Sequence, residues 1–135
     1  NDHHHFFSAA SLTTDNRFLL ALQSNGKFNY NDTENGSTKI SFQYSETFTT
    51  WSNIVLVRSV LGAELFINGT LKTEANFTNT NLAIPQNGFW LGGDQDSVGG
   101  GWSSGQQLNG LLDDVRIYDR ALSAAEVQAL YNQGQ

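Results

Sequence analysis

Two carboxylates separated by one residue, in Asp94-Gln95-Asp96, are the side chains best placed to do chemistry. They can turn toward a common point if the backbone leaves strand geometry, and the neighbouring glycines allow such a turn. Hard oxygen ligands of this kind suit Ca²⁺, which takes roughly six to eight oxygens at about 2.3–2.6 Å. The main-chain carbonyl of Gln95 would add one more oxygen. Spacing alone, however, slightly favours a plain solvated acidic loop.

Two other kinds of carboxylate site fit this segment less well. An EF-hand loop that starts at Asp94 would place Val98 at an oxygen-ligand position and Gly105 where a bidentate Glu is required. A glycosidase needs a nucleophile and an acid on a rigid surface that faces a cleft. Carboxylates on a flexible glycine-rich loop do not meet that condition. We therefore expect a binding module and not an enzyme.

The amino-acid composition limits the classes of partner that the protein is expected to bind. The net charge is −6, and no cluster of Lys or Arg is present, so nucleic acids and anionic membranes are poor partners and divalent cations are better ones. Because Cys is absent, disulfides, thiolate catalysis and zinc–thiolate sites are excluded. No apolar run approaches the roughly 18 residues that a membrane span needs.

Histidine and aspartate clusters have plainer explanations than metal binding. The imidazoles of His3-His4-His5 would alternate between the faces of a strand, so at most two could bind one ion. Coincidence or the remnant of an added tag is the favoured interpretation. Asp113 and Asp114 are expected within a strand beside Arg116. An ion pair or a hydrogen bond to the backbone is favoured there over a metal.

The tryptophans divide into two groups. Trp102 lies among glycines, where it would either stack on a sugar ring or fill the core under the loop. We expect Trp51, Trp90 and the phenylalanines to lie in the core.

Short runs rich in β-branched and aromatic residues, separated by Gly- and Asn-containing turns, are typical of a sandwich or jelly roll. Strands are predicted over Phe18–Leu22, Lys39–Tyr44, Ile54–Val57, Glu64–Ile67, Phe89–Leu91 and Leu111–Tyr118. The turns are predicted at Ser24-Asn25-Gly26, Asn35-Gly36, Asn68-Gly69 and Asn87-Gly88. The region from Gly92 to Gly110 holds seven of the 13 glycines, so it is predicted to be a long loop and not a strand pair.

One helix is predicted near the end of the sequence. Ser123-Ala124-Ala125-Glu126 forms a capping box. Leu122, Val127, Leu130 and Tyr131 then supply an apolar stripe at helical spacing. We expect this short helix to pack as a lid against the edge of a sheet.

The stretch from Phe89 to Tyr131 resembles the pentraxin and laminin-G-like jelly rolls. Gln95-Asp96-Ser97-Val98-Gly99-Gly100, followed by Gln106, is similar to the pentraxin calcium loop. The run from Gly110 to Ser123, closing on Glu126 and Leu130-Tyr131, resembles the closing signature of laminin-G-like domains. Further upstream, Asp15-Asn16 resembles a calcium-binding pair of pentraxins. Trp51 and Glu64–Gly69 resemble the Trp and the hairpin of both groups.

The resemblance implies an all-β antiparallel jelly-roll β-sandwich with one short C-terminal helix, as a single domain over residues 1–135. It also implies one or two Ca²⁺ ions. The implied calcium ligands are Asp15, Asn16, Asp94, the carbonyl of Gln95, Asp96 and Gln106. Ser103 stands where pentraxins usually place another carboxylate, so one of the two ions is expected to be weak or missing. Trp102 and Ser103 are weaker candidates for contact with the ligand.

Other departures concern the ligand pocket and the ends of the domain. Ala21 occupies the family's apolar ligand-contact position, so a pocket for a choline methyl group is not expected. The chain starts about two strands late and lacks the strand that pentraxins add after the helix. It is therefore expected to be a fragment or to take strands from elsewhere. The sheet edge left open would invite pairing with another chain, including a second copy.

Four Asn-x-Ser/Thr triplets begin at Asn31, Asn35, Asn68 and Asn76. In a eukaryotic secreted protein they would be glycan acceptors on loops, although an Asn- and Thr-rich sequence produces several by chance.

Taken together, the sequence predicts an extracellular, calcium-dependent, lectin-like module for a carbohydrate or phosphate-bearing ligand. Two alternatives stay open. One is a structural adhesion or filament-forming module in which calcium only stabilises the fold and sheet edges contact other subunits. The other is an accessory domain of a carbohydrate-active enzyme.

Overall fold

The protein folds as an antiparallel β-sandwich with a single helix near the end of its sequence. The computed structural model describes residues 3–11, 18–34, 37–77, 84–102 and 104–134. The strands are β1 (His3–Ala9), β2 (Phe18–Gln23), β3 (Lys27–Glu34), β4 (Ser37–Ser45), β5 (Ile54–Ser59), β6 (Gly62–Ile67), β7 (Thr70–Asn76), β8 (Phe89–Leu91), β9 (Gln95–Ser97) and β10 (Gly100–Trp102). Helix α1 covers Ala124–Gln133.

The described strands form three sheets. A five-stranded sheet has the order β4-β3-β2-β1-β8, a three-stranded sheet the order β5-β6-β7, and β9 and β10 pair as a hairpin. All of the strand pairs are antiparallel. The sandwich predicted from the short strands is therefore confirmed.

The core lies between the five-stranded and the three-stranded sheets. The first sheet contributes mainly aromatic and aliphatic side chains such as Phe28, Tyr30 and Phe42, and the second contributes Leu65 and Ile67. Strand β4 alternates as predicted, with Ile40 and Phe42 buried and the side chains between them exposed.

A charged contact also joins the two sheets. Arg58 of β5 donates from Nε to Oδ2 of the buried Asp32 of β3 at 2.7 Å, and its Nη2 lies 2.6 Å from the same oxygen.

Helix α1 begins at the predicted capping box. The Ser123 hydroxyl accepts a hydrogen bond from the Glu126 amide, and the Glu126 carboxylate accepts one from the Ser123 amide at 2.8 Å. Val127 and Leu122 pack on Val57 and Phe66, on the outer face of the three-stranded sheet. The expected lid at a sheet edge is therefore corrected. The helix covers the outer face of this sheet. Leu65 and Ile67 point into the main core, so Phe66, which lies between them in the strand, points to the opposite face and contacts the helix.

Local turn chemistry follows the prediction wherever the structure describes it. Gly26, Asn68, Gly69 and Asn87 all adopt positive φ angles, between 51° and 76°. Asn35-Gly36 lies outside the described residues.

Two predictions for the last third of the chain are wrong. The region from Gly92 to Gly110 is not a single loop, because it contains the β9–β10 hairpin. The segment of residues 111–118 forms no strand, and its side chains are exposed. A strand needs a neighbour to satisfy its backbone groups, and none of the described strands runs beside this segment.

Two of the tryptophans expected in the core lie at the surface. Trp51 is 67% exposed and Trp90 is 47% exposed. Their size and apolarity predicted burial, but Trp51 precedes β5 in an irregular segment and Trp90 lies on an edge strand. Among the described residues, no helix has the length and apolarity to cross a bilayer.

Candidate metal centre

The β9–β10 hairpin positions the acidic pair. Gln95 is fully buried, and its amide N–H donates to the Ser8 hydroxyl of β1 at 3.1 Å. Its side-chain Oε1 accepts a hydrogen bond from the Gly99 amide at 3.0 Å and so closes the hairpin turn. Because Gln95 is fixed to the sheet and to the turn, the carboxylates of Asp94 and Asp96 on either side of it are held near β1.

The space around the Asp96 side chain depends on a glycine across the hairpin. Gly101 lies across the hairpin with φ +69°, and a Cβ atom added there would lie 3.0 Å from the Asp96 Cβ. A side chain at Gly101 would therefore displace Asp96 and would also strain the backbone.

A later segment brings Gln106 to the same place. The His5 amide donates to the Gln106 carbonyl at 3.3 Å, and the Leu108 amide donates to the Gly92 carbonyl at 2.9 Å. Gly92 in turn donates to the Phe6 carbonyl at 2.9 Å. These backbone bonds hold Gln106 and the start of the hairpin against the same strand.

The oxygens at this place suit a hard cation. Asp94 is 4% exposed, and Asp96 is partly exposed. The Gln106 Oε1 is buried and has no hydrogen-bond partner among the described residues. A buried oxygen without a donor costs about 1–3 kcal/mol. A calcium ion would satisfy that oxygen, and carboxylate, amide and carbonyl oxygens are its usual ligands.

His5 is a member of this cluster that the sequence analysis missed. Its side chain is 2% exposed, with Nδ1 3.5 Å from Oδ1 of Asp94. Desolvation by burial, helped by the neighbouring His3, lowers the His5 pKa to about 4, although Asp96 acts in the opposite direction. The imidazole is therefore neutral at physiological pH and adds no positive charge beside Asp94.

The structure places His3-His4-His5 in a strand, and their interpretation as coincidence or the remnant of a tag stays a prediction. These residues form the start of β1 and pair with Gln23, Leu22 and Ala21 of β2. His3 and His5 stack with their rings 6.2 Å apart, as the alternation of a strand requires. The sequence did contain a signal for this strand, since the histidines lead directly into the apolar Phe6-Phe7.

Part of the expected ligand set lies outside the described residues. The residues in this part are Asp15, Asn16 and Ser103. Within the described ranges, no group of three or more His, Cys, Asp or Glu side chains is arranged to hold a metal. The members of the expected set that the structure describes are Asp94, Gln95, Asp96 and Gln106, and they lie around β1.

Asp113 and Asp114 make local hydrogen bonds. Asp114 accepts two hydrogen bonds from Arg116, from Nε and Nη2, each at 2.8 Å. Asp113 accepts one from the Asp114 amide at 2.8 Å. The expected ion pair and backbone bond are both present, although the strand expected to carry them is not.

The predicted glycan acceptors do not all lie on loops. Asn31 lies within β3 and is partly buried, and Asn76 lies at the end of β7. Asn68 lies in an exposed turn, where its side chain accepts a hydrogen bond from the Asn53 amide at 2.9 Å. Asn35 is outside the described residues. The expectation of four loop sites is therefore corrected for Asn31 and Asn76.

Comparison with known proteins agrees with the resemblance seen in the sequence. Residues 1–128 match the family model described as the concanavalin A-like lectin/glucanases superfamily. Serum amyloid P-component of Cavia porcellus is 27% identical over 96% of this chain and 57% of its own length. C-reactive protein of Rattus norvegicus is 29% identical over 93% of this chain and 54% of its own length. The chain thus spans about half the length of these curated relatives.

Solved structures show the same fold. A native heptameric SAP-like pentraxin from Limulus polyphemus superposes with a TM-score of 0.75 at 23% identity, covering 96% of this chain and 63% of that one. An S-layer domain-containing protein from Clostridium thermocellum gives a TM-score of 0.51 at 30% identity, covering 84% and 55%. Together with the family model, these matches establish an antiparallel jelly-roll sandwich with one short C-terminal helix. The chain belongs to the concanavalin A-like lectin/glucanase superfamily and is a pentraxin- and laminin-G-like domain within it.

Proposed function

We propose that this domain is an extracellular, calcium-dependent, lectin-like binding module. One or two Ca²⁺ ions would be held by Asp15, Asn16, Asp94, the Gln95 carbonyl, Asp96 and Gln106. The observation that carries the proposal is the meeting of two separate segments at β1, where a buried carboxylate and a buried amide oxygen lie close to the hairpin. The family resemblance supports calcium as the ion.

The residues have distinct roles in this proposal. The buried Asp94 and the buried Oε1 of Gln106 would hold the ion, while Asp96 is partly exposed at the rim. Calcium is a hard cation with roughly six to eight oxygen ligands. A sugar diol, phosphate or carboxylate would fill the positions that the protein leaves open. His5 stays neutral and therefore does not compete for the carboxylate. An extracellular location is supported by the relatives, one of which is by name a serum protein.

The test is calcium affinity measured by calorimetry. Asp96→Asn and Asp15→Asn each remove a charged oxygen ligand and keep the side-chain shape, so each is expected to abolish saturable calcium binding. Asp114→Asn is the matched control, because Asp114 is exposed and bonded to Arg116. It should bind calcium as the wild type does. Wild-type affinity in either of the first two variants, with a native circular dichroism spectrum, would show that the ligand assignment is wrong.

A structural adhesion module is the second candidate function, and one observation favours it. Five large apolar side chains are exposed within residues 111–118, with Leu111 at 80% and Ile117 at 75%. Contiguous exposed apolar residues mark sites of protein association. The segment has the composition of a strand, and it would gain backbone partners by pairing with another chain. In this candidate, calcium only stabilises the fold.

A further inference from the structure

Two exposed tryptophans lie against each other next to the hairpin. The ring centroids of Trp90 and Trp102 are 4.5 Å apart with a 48° angle between the planes. The two residues are 47% and 48% exposed. Tryptophan carries a large apolar surface that proteins usually bury, so a pair left half in solvent is costly unless something covers it.

Both indoles are held by regular structure. Trp90 lies on β8 opposite Ser8 of β1, and Trp102 lies on β10 opposite Gln95 of β9. Gly93 is buried beside the Trp90 ring, and a Cβ atom added to Gly93 would lie 3.5 Å from its Cδ1. Strand pairing and this close approach fix the pair in one arrangement before any ligand binds. Preorganised aromatic surfaces lose little entropy on binding.

The charge of the region selects the class of ligand. No Lys or Arg occurs between Lys72 and Arg116, which includes both tryptophans and the whole hairpin. Amide and hydroxyl side chains follow Trp102 in the sequence, among them Ser104 and Gln107, both exposed. This stretch of the sequence therefore offers an anionic group neither Lys nor Arg. A neutral pyranose has an apolar face for the rings and hydroxyls for these polar groups and for the indole N–H.

We propose that Trp90 and Trp102 form a stacking platform for a neutral sugar ring. Directly opposed residues of an antiparallel pair share a face, so Trp102 lies on the side of Gln95, whereas Asp96 lies on the other side with Gly101. The platform is therefore next to the proposed cation site without being part of it. The inference rests on the proposed lectin-like function. It specifies the class of ligand, which is a neutral carbohydrate and not a phosphate-bearing compound.

The experiment is a printed array of neutral glycans, probed with the protein in calcium and again in EGTA. The glycan that binds best is then titrated by tryptophan fluorescence against Trp90→Ala, Trp102→Ala and a control, Trp51→Ala. Loss of either platform ring should weaken binding about tenfold or more, since stacking and buried aromatic area are both lost. Trp51→Ala should bind as the wild type does, because Trp51 is exposed in a separate segment before β5.

Circular dichroism reports on the pair itself. Two indoles this close produce an exciton couplet in the far ultraviolet, which Trp90→Ala and Trp102→Ala should both remove and Trp51→Ala should leave. Retained glycan affinity in a variant that has lost the couplet would overturn the platform. So would an array on which no neutral glycan binds in either buffer, or binding that inorganic phosphate displaces and a neutral glycan does not.

The outcomes separate the platform from the calcium proposal. Normal calcium affinity without any glycan binding removes the platform alone. Glycan binding that depends on Trp102 but persists in EGTA supports the platform and removes the calcium requirement. In the expected result, all three tryptophan variants bind calcium as the wild type does.

Discussion

His5 shows how burial sets the chemistry of a single residue in this domain. Its imidazole, on β1, is buried beside Asp94, and desolvation is the main cause of its lowered pKa. A neutral ring beside Asp94 keeps the local charge negative, which a cation site requires. The residue thus takes part in the electrostatics of the site without having to be a ligand.

A pH dependence of stability follows from His5 in calcium-free protein. The folded pKa of about 4 is below the ordinary value of 6.5, so the unfolded chain binds more protons between these values. The free energy of unfolding should therefore fall as the pH drops from about 6.5 to about 4, by at most about 1.4 kcal/mol per pH unit. Urea unfolding in EGTA at several pH values measures it.

A variant isolates the contribution of His5 from that of the carboxylates. His5→Gln lacks the titrating group, so its stability should change less than that of the wild type over the same pH range. If this variant does not fold, the imidazole resonances of the wild type provide the measurement. A His5 ring that titrates near its ordinary pKa of 6.5 in the folded protein would contradict the burial argument.

At the scale of elements, helix α1 depends on its first turn. Ser123 and Glu126 satisfy each other's amides, and Arg120 donates two hydrogen bonds to the Glu126 carboxylate, at 2.6 and 3.1 Å. The Arg120 side chain, with the Ser123 backbone and hydroxyl, lowers the Glu126 pKa to about 2. The capping carboxylate therefore stays charged through mildly acidic conditions.

Ser123→Ala should lower the free energy of unfolding by about 1 kcal/mol, the usual cost of losing a side-chain cap. Urea denaturation of the wild type and the variant at pH 7 measures the difference. Ser104→Ala, at an exposed serine outside any helix, is the control and should stay within about 0.5 kcal/mol of the wild type. Equal effects of the two substitutions would show that the cap does not stabilise the domain.

Local signals made some of these elements predictable. The capping box, the Asn-Gly turns that the structure describes and the alternation of β4 are each specified by residues close together in the sequence, and each prediction is confirmed. Strand β3 was missed because Asn29, Asn31 and Asp32 are poor strand formers, and here packing between β2 and β4 overrides their propensity. The hairpin of β9 and β10 was missed because its glycines resemble those of a loop.

Non-local contacts limited the prediction of the site. Gln106 could be joined to Asp94 only through the family resemblance, because the backbone bonds that bring them together run through β1. His5 carried no signal of its own beyond its place before Phe6. The strand predicted over residues 111–118 was wrong for a related reason: composition favours a strand, but a strand also requires a partner.

At the scale of the whole molecule, residues 111–118 predict association with a second copy. In an antiparallel pairing centred on Val115, each Asp114 would lie opposite the Arg116 of the other chain, giving two cross-strand ion pairs. Pairing would also return Asp114 from its positive φ of 50°, which is uncommon for a residue other than glycine, to extended backbone. Light scattering coupled to size exclusion should show a dimer that grows with concentration and persists in EGTA.

Charge reversal tests that register. Asp114→Arg and Arg116→Asp should each weaken the dimer by placing like charges opposite one another, and the double exchange should restore it. A monomer at every concentration, or a dimer indifferent to both reversals, would rule out this pairing.

The central claim is that oxygens from two remote parts of the chain surround one calcium ion beside β1. A crystal grown with calcium chloride and measured at a long wavelength tests it directly through the anomalous signal of calcium. We predict a peak about 2.3–2.6 Å from oxygens of Asp15, Asp94 and Gln106. A map with calcium in the crystal but no peak among these residues, or with the Asp15 carboxylate turned away from Asp94, would contradict the account.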